Sequence, residues 1–526
     1  MPTRTDQSND RDETAESEQQ AVVAFLTDPG SYPGALSKVE RIDTHAAIVF
    51  LAGRRAYKVK RAVKLPYLDY STLALRQLMC GREFEINART APSLYRGVVA
   101  ITREADGGLV FNGQGEVIEW AIEMERFDQD CLLNRMAESG ELTLRHMEQL
   151  ADHIAEFHAA AEAYPAVDGA QAMSKVIGYT VPAFEAATGQ LPADQADRYR
   201  EMIHAVLDAQ SPLLRRRAER GYVRRCHGDM HLRNIVLIEG EPTLFDAIEF
   251  DDELTTIDVL YDLAFLVMDL WHRDLKAHAN HVTNVYLGHA SDLQDLVGLA
   301  AMPLFLSCRA AVRAMVGLDQ LPHVSEDERP DIARESLGYF DLANRLLKPD
   351  PPRLVAIGGL SGTGKSTLGA ALAPQFGAAP GALHLRSDVE RKRLFGLEPT
   401  ERLGPDAYRP AVNARVFHEL NRRAKAALEA GHSVLVDAVF LRADERVALQ
   451  AVADELAVPF SGLWLSAPKK ILIERVTKRS GDASDADAQV VELQLGRSSG
   501  PISWVPIDAG GPPDEVAAQA ATQLGI

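Results

Sequence analysis

Residues 359–366 read GLSGTGKS, which fits glycine, four residues, then glycine–lysine–serine. Glycines at this spacing let backbone N–H groups turn inward around phosphate oxygens, and a helix starting at the lysine adds positive potential. In such a loop Gly359, Gly362 and Gly364 supply the turns, with Ser361 and Thr363 between them. Lys365 then reaches the β- and γ-phosphates and Ser366 ligates Mg2+. A second cluster, HGDMHLRN over 227–234, sets Asp229 five residues before Asn234. Asp229 can accept the proton of an attacking hydroxyl while Asn234 ligates Mg2+ from the same loop, with His227 bracing it. Asp246 follows NIVLIEGEPTLF, where a second carboxylate would bridge Mg2+ and phosphate oxygens. Asp262, assisted by Asp258, is a candidate to accept hydrogen bonds from the 227–234 loop. Both sets suit transfer of a phosphoryl group to a hydroxyl.

Further positions belong with the glycine-rich loop. Asp388, in RSDVERKRLFG, can act as a base on a substrate hydroxyl, with Arg391 near it to hold an anionic group. Asp437 ends SVLVD and can position Mg2+ or its water. Arg475 and Arg479 lie four apart on one helical face and can close over the γ-phosphate.

These residues need elements to hold them. KPDPPRLVAIGG, over 348–359, puts three prolines in five residues ahead of an apolar strand, and marks a boundary near 349. Before it, AAIVFLAG and RAYKVKRAV predict a hairpin over 45–65 around Gly53. A helix is expected over 71–91, and short strands over 95–125. From 128 the pattern is mainly helical, interrupted at 223–250 by a second hairpin-like unit. After the boundary, LVAIGG, LHLRS, SVLVDAVF and FSGLWLS are strands alternating with helical stretches, the rhythm of a parallel sheet. Four units follow: a disordered tail 1–20, a mixed lobe 21–127, a helical lobe 128–348 carrying the HGDMHLRN loop, and a phosphate-loop domain 349–526.

The combination GLSGTGKST, LRSDVERKRLFG, VLVDAVF and ERVTKRSGDASDADAQVVELQ resembles the small P-loop kinases of the gluconate-kinase, polynucleotide-kinase and zeta-toxin kind, over about the last third of the chain. The resemblance implies ATP and Mg2+ at Gly359–Thr367, so it adds Thr367. It also implies Asp388 as base and an arginine lid. HGDMHLRN resembles the aminoglycoside-phosphotransferase-like family at His227, Gly228, Asp229, His231 and Asn234. It implies a bilobal, α+β protein-kinase-like fold over roughly 21–348, ahead of an α/β P-loop domain. It also implies a strand lysine paired with a helix glutamate. RAYKVK offers Lys58 or Lys60, and CGREFEINART offers Glu83 or Glu85; Ala56 and Lys58 match the kinase A-x-K arrangement, which favours Lys58 with Glu83. IEMERF, over 122–127, falls where a hinge would meet adenine. DTHAA, over 43–47, stands in place of a G-x-G-x-x-G loop.

The net charge is −19, and residues 351–526 carry 20 basic and 20 acidic residues, so the imbalance falls on 1–350. An acidic front half and a neutral back half without a basic stripe argue against nucleic acid as partner, and the acidic half is compatible with cationic small substrates. No run of about 18 apolar residues predicts a membrane span. Cys80, Cys131, Cys226 and Cys308 show no metal or disulfide spacing, which points to a reducing cytoplasm. The expected activity is that of a bifunctional ATP- and Mg2+-dependent phosphotransferase with alcohol acceptors. The alternative is one active P-loop kinase regulated by a nucleotide-sensing or protein-binding kinase-like domain.

Overall fold

Alternation along RAYKVK decides which face of the front sheet carries the lysines. In the computed structural model, which describes residues 19–34, 36–44, 46–65, 68–187, 189–289, 292–478 and 483–526, this segment is β3 (Arg55–Lys60). It pairs with β2 (Ala47–Ala52) across a turn at Gly53, and β1 (Val39–Asp43) pairs with β2. A short hairpin of β4 (Lys64–Leu65) and β5 (Leu68–Asp69) follows, then β6 (Tyr95–Arg103), β7 (Leu109–Phe111) and β8 (Glu116–Glu125). The six-stranded sheet runs β1-β2-β3-β8-β6-β7 and is antiparallel throughout. Tyr57 and Val59 enter a core with Val22, Leu26, Phe50 and Ile101 on one face. Ala56, of opposite parity, enters a second core with Cys80, Leu94 and Ile122. The period of two therefore turns Lys58 and Lys60 toward the face covered by the helix Leu73–Asn87.

Of the residues expected in a tail over 1–20, Gln19 and Gln20 are helical, in a stretch that continues to residue 27, and the Gln19 side-chain amide is tied to Lys60 O, Ala62 N and Glu119. Residues 1–18, His45 of the DTHAA turn and Arg479 lie outside the described residues.

HGDMHLRN sits between β9 (Val223–Arg225) and β10 (Ile235–Ile238), and β10 forms a hairpin with β11 (Glu241–Leu244). The turn at Glu239–Gly240 uses positive φ at both positions. β12 (Thr256–Asp258) returns to pair with β9, so residues 226–234 and 245–255 leave from the ends of two small ladders. This part groups with the front sheet. The chain divides into one compact unit reaching residue 142 with 157–164 and 222–262, and another of 143–156, 165–221 and 263–526.

In the second unit, Leu293–Gln320 is the one described stretch long and apolar enough to cross a membrane, but 72% of its most apolar window is buried. It reads as a core helix. The helix Arg329–Leu346 ends before the proline segment, and β13 (Leu354–Gly359) starts the last sheet. β14 (Leu383–Arg386), β15 (Val434–Asp437), β16 (Phe460–Ser466) and β17 (Val505–Asp508) complete it in the order β14-β15-β13-β16-β17, all parallel. β17 has no apolar run to announce it, since only Ile507 of its four residues is buried on this edge strand. Ile357, Leu368, Leu435, Leu463 and Ile507 form the core beneath the phosphate loop.

Burial pushes the His432 imidazole, just before β15, down to about 4. The folded form is neutral, so its stability is fully present above pH ~6.5 and is lost as the unfolded chain gains a proton that the folded chain refuses. Between pH 7 and 5 this group is expected to cost about 2 kcal/mol. Urea midpoints at the two pH values check it: His432→Gln should flatten the difference, and an unchanged slope would refute the assignment.

Candidate functional site

The front site is built on buried charge. The inward stripe of the helix Leu73–Asn87 is Arg76, Cys80, Glu83 and Asn87, at spacings of four, three and four, so Glu83 points in while Glu85 is exposed. Glu83 is fully buried and bridges both lysines, at 2.8 Å from Lys58 Nζ and 2.7 Å from Lys60 Nζ. Burial opposes ionisation of Glu83, but the two ammonium groups hold its carboxyl well below the usual range. Lys58 is raised in turn: burial works against its charge, and Asp246 and Glu83 outweigh that.

The two lysines differ in their second partner. Lys58 pairs with Asp246, whereas Lys60 is 2% exposed and pairs with Glu249, which also accepts from Tyr70 Oη at 2.6 Å. Lys58 is thus the lysine beside Asp246, and Lys60 is a buried strut. Sequence reasoning missed Glu249; a second strand lysine of the same parity was the only hint that another carboxylate was required. Lys60→Met is expected to lower stability by about 3 kcal/mol, because it leaves buried carboxylate without its cation. Chemical denaturation checks this, and a wild-type midpoint would remove Lys60 from the structural role.

The residues of HGDMHLRN are tied to one another and to Asp262. Asn234 Nδ2 donates to Asp229 Oδ2 at 2.8 Å and to Asp229 O at 2.9 Å, which fixes the carboxylate. Asp262 accepts the N–H groups of His227 and Gly228, at 3.0 and 2.8 Å, and lies 3.1 Å from His158 Nε2. His158, Cys226 and Asp262 are close enough to suggest a metal cluster, but both Asp262 oxygens are committed to bracing the loop. His227 Nε2 contacts Phe245 O at 3.0 Å, which ties the loop to the segment carrying Asp246. Asp246 takes a φ of +61°, a conformation unusual for a residue with a side chain and often kept where function needs it. Tyr95 Oη accepts the Asp246 N–H at 3.3 Å and Asn87 Oδ1 accepts the Ala247 N–H at 2.9 Å; neither residue was foreseen.

Two backbone features concern the DTHAA turn and the segment 122–127. The β1–β2 turn is closed by Thr44, whose hydroxyl accepts the Ala47 N–H at 3.0 Å. In the expected hinge, the N–H groups of Glu125 and Arg126 already donate to Leu94 and Arg54 carbonyls at 2.8 and 2.9 Å. Those two amides are paired because β8 continues through Glu125. An open cleft of about 630 Å3 beside this segment is lined by Arg54, Glu125, Arg126, Phe127 and Asp128 among others.

The phosphate loop follows β13, the central strand, at the carboxyl edge of the sheet. Gly359, Gly362 and Gly364 all have positive φ. A Cβ on Gly359 would lie 2.6 Å from Leu465 O, and one on Gly362 would lie 2.7 Å from Leu472 O, so neither position accepts a side chain. Lys365 opens the helix Lys365–Leu372, and its Nζ donates to Leu360 O at 3.1 Å, arched over the loop. Thr363 Oγ1 donates to Leu360 O at 2.8 Å, and Thr367 is exposed on the first helical turn. Ser361 is clasped by Gln494, which accepts its N–H at 2.9 Å and donates to its Oγ at 3.0 Å. Gln494 lies 133 residues away, and nothing in its local sequence marks it.

Ser366 Oγ lies 3.3 Å from Asp437 Oδ1. Two hard oxygen donors together at a phosphate loop suit Mg2+. Burial opposes the Asp437 charge, yet the His384 hydrogen bond and nearby cations hold its carboxyl below the usual range. Parallel pairing sets Arg386 opposite Asp437, which brings half-buried Asp388 to the same edge two residues on. Arg391 is buried, donates to Ala407 O at 2.8 Å and Asn413 Oδ1 at 2.7 Å, and stacks over Tyr408. Its Nε has no hydrogen-bond partner among the described residues.

Arg475 is not brought to the phosphates. Its guanidinium donates to Ala509 O at 2.8 Å and Gly511 O at 3.1 Å, pinning the loop after β17. Leu472 and Val476, on another face of the helix Lys469–Lys478, are the residues packed against Gly362.

Comparison with known proteins places both halves. Residues 126–296 match the model of the phosphotransferase enzyme family, and residues 354–501 match an AAA-domain model. Uncharacterised proteins of Mycobacterium tuberculosis and Mycobacterium bovis are 27% identical over 491 residues, spanning 91% of this chain and 94% of theirs. A choline/ethanolamine kinase family protein from Mesorhizobium loti is 15% identical, covering 63% of this chain and 94% of its own, with a TM-score of 0.38. A sugar kinase from a Janibacter species is 23% identical over 34% of this chain and 96% of its own (TM-score 0.26). An APS kinase of Mycobacterium tuberculosis is 20% identical over 34% and 99% (TM-score 0.26). The chain thus carries a kinase-like region similar to the phosphotransferase enzyme family over 126–296, followed by a P-loop region similar to an AAA domain over 354–501 on a five-stranded parallel sheet.

Proposed function

We propose that the chain is a bifunctional phosphotransferase in which each domain moves the γ-phosphoryl group of ATP to a hydroxyl of a small molecule. The contacts Asn234–Asp229 and Lys58–Asp246 in one region, and Ser366–Asp437 beside Lys365 in the other, support this reading most; with Asp388, these groups are suited to accept a proton, reach phosphate and ligate Mg2+. Phosphoryl transfer is mostly positioning and charge stabilisation, so these parts are close to sufficient.

In the front site, Asp229 takes the acceptor hydroxyl proton as the acceptor oxygen bonds to the γ-phosphorus and the bond to the β,γ-bridging oxygen breaks, releasing ADP. Lys58 now touches Asp246 as well as Glu83, so an incoming triphosphate has to take up the Lys58 Nζ that Asp246 holds. Mg2+, when bound by Asn234 and Asp246, would neutralise the triphosphate. In the second site Asp388 has the proton-accepting role, with the Arg391 charge beside it. A cytoplasmic setting fits the four thiols, all free, three of them buried.

The test is nucleotide stoichiometry joined to acceptor turnover. Calorimetry should show two nucleotides per chain, and labelled ATP should mark products from sugars, amino-alcohols or sugar acids. Two bound nucleotides with product formation that stops only when Lys365 is replaced would favour the second reading, a front domain that senses nucleotide. The Thr44-closed turn and paired hinge amides are the features on its side.

A further inference from the structure

The edge strand β14 carries a histidine that neither phosphate-binding motif accounts for. His384 Nε2 lies 2.6 Å from Asp437 Oδ2, while the other carboxylate oxygen faces Ser366 Oγ at 3.3 Å. Both side chains are nearly closed from solvent, at 9% and 5% exposure. Space for the ring is reserved on the phosphate-loop helix: a Cβ on Gly369 would sit 2.4 Å from His384 Nε2. The backbone that carries the ring is held from outside the sheet. Asn284, in the helix Lys276–Gly288, accepts the His384 N–H at 2.7 Å and donates to Ala382 O at 3.3 Å. Asn280, one turn earlier, donates to Pro380 O at 3.1 Å and Ala382 O at 3.0 Å. That helix lies within the stretch matched by the phosphotransferase family model, ahead of the P-loop domain, and belongs to the same compact unit as the sheet.

We infer that His384 is a positioning residue of the P-loop site, holding one oxygen of Asp437 so that the other is presented with Ser366 to the nucleotide-bound Mg2+, and that Asn284 makes this orientation depend on the preceding domain. The inference rests on the reading of Ser366 and Asp437 as Mg2+ ligands. Its physical basis is that a carboxylate with one oxygen anchored has a single orientation left to offer, and loss of such an outer partner typically weakens metal affinity by about 10- to 100-fold. An alternative role for His384, filling space beside Gly369, would be met as well by a phenyl ring.

The full chain is used, and the P-loop site is identified as the component of ADP binding that disappears in Lys365→Ala. For that component, ADP affinity is measured by calorimetry in EDTA and across a Mg2+ titration, with thermal melting as the folding control. His384→Phe is expected to shift the Mg2+ midpoint upward by about tenfold or more while leaving ADP affinity in EDTA unchanged. His384→Gln, whose amide can still donate to Asp437, should recover most of the shift, and Asn284→Ala should show a smaller shift of the same sign. A folded His384→Phe chain whose Mg2+ curve overlays the wild type overturns the inference. Should that chain not fold, His384→Asn, too short to reach, and Asn284→Ala carry the test, and unchanged curves in both overturn it. If Lys365→Ala removes no binding component, it is the underlying assignment of the nucleotide site that fails, a result distinct from either outcome.

Discussion

Asp229→Asn is expected to lower turnover at the front site by about 10²- to 10⁴-fold while changing nucleotide affinity little. The asparagine has the same shape, so packing around the loop survives. What disappears is an acceptor for the hydroxyl proton, and an amide cannot receive it as oxygen attacks phosphorus. The new amide also meets Asn234 Nδ2, which now donates to Asp229 Oδ2 at 2.8 Å, so the side chain has reason to rotate. The loss should therefore fall on kcat, with the KM for ATP within about threefold of wild type, the pattern of an interaction made only in the transition state. Steady-state kinetics with any accepted alcohol checks this. Retention of more than about a tenth of wild-type turnover would falsify the assignment of Asp229 as the base.

Lys365→Ala should strike the second site at both stages. Lys365 Nζ, arched to Leu360 O at 3.1 Å, is the lysine charge of the phosphate loop. Removing it takes away a charge-assisted hydrogen bond to the phosphates in the ground state and in the transition state. Binding is expected to weaken by about 10- to 100-fold and turnover by about 10²- to 10³-fold, comparable to loss of one oxyanion donor. The count of nucleotides bound per chain at moderate concentration should then fall from two to one, and front-site turnover should continue. If both activities fell together while the chain stayed folded, the sites would be coupled rather than separate. If neither moved, the loop would not be a nucleotide site in this protein.

The two sites were legible to different depths because their information lies at different ranges along the chain. The phosphate loop is a contiguous motif, and its three positive-φ glycines, helix-opening lysine and serine follow from local spacing. The HGDMHLRN loop is almost as local: Asp229 and Asn234 meet because five residues of one turn bring them together. Parity along β3 put Lys58 and Lys60 on one face, and the kinase resemblance favoured Lys58 with Glu83, but parity cannot say which lysine meets Asp246. The arginine pair shows the limit from the other side. A spacing of four defines a common helical face, yet Arg475 turns to the carbonyls of 509 and 511, since which face looks at the loop is set by Leu472 and Val476 packing against Gly362.

Sequence alone determined the fold class and the two motifs, because hydrophobic period and glycine placement are local constraints on the backbone. Tertiary structure alone decided the partners: Glu249 for Lys60, Gln494 for Ser361, His384 for Asp437, and the helix carrying Asn284 for β14. A buried charge or an orphaned amide requires a partner, but chain closure and packing choose among the residues able to supply one, and that choice is a property of the assembled fold rather than of any segment in it.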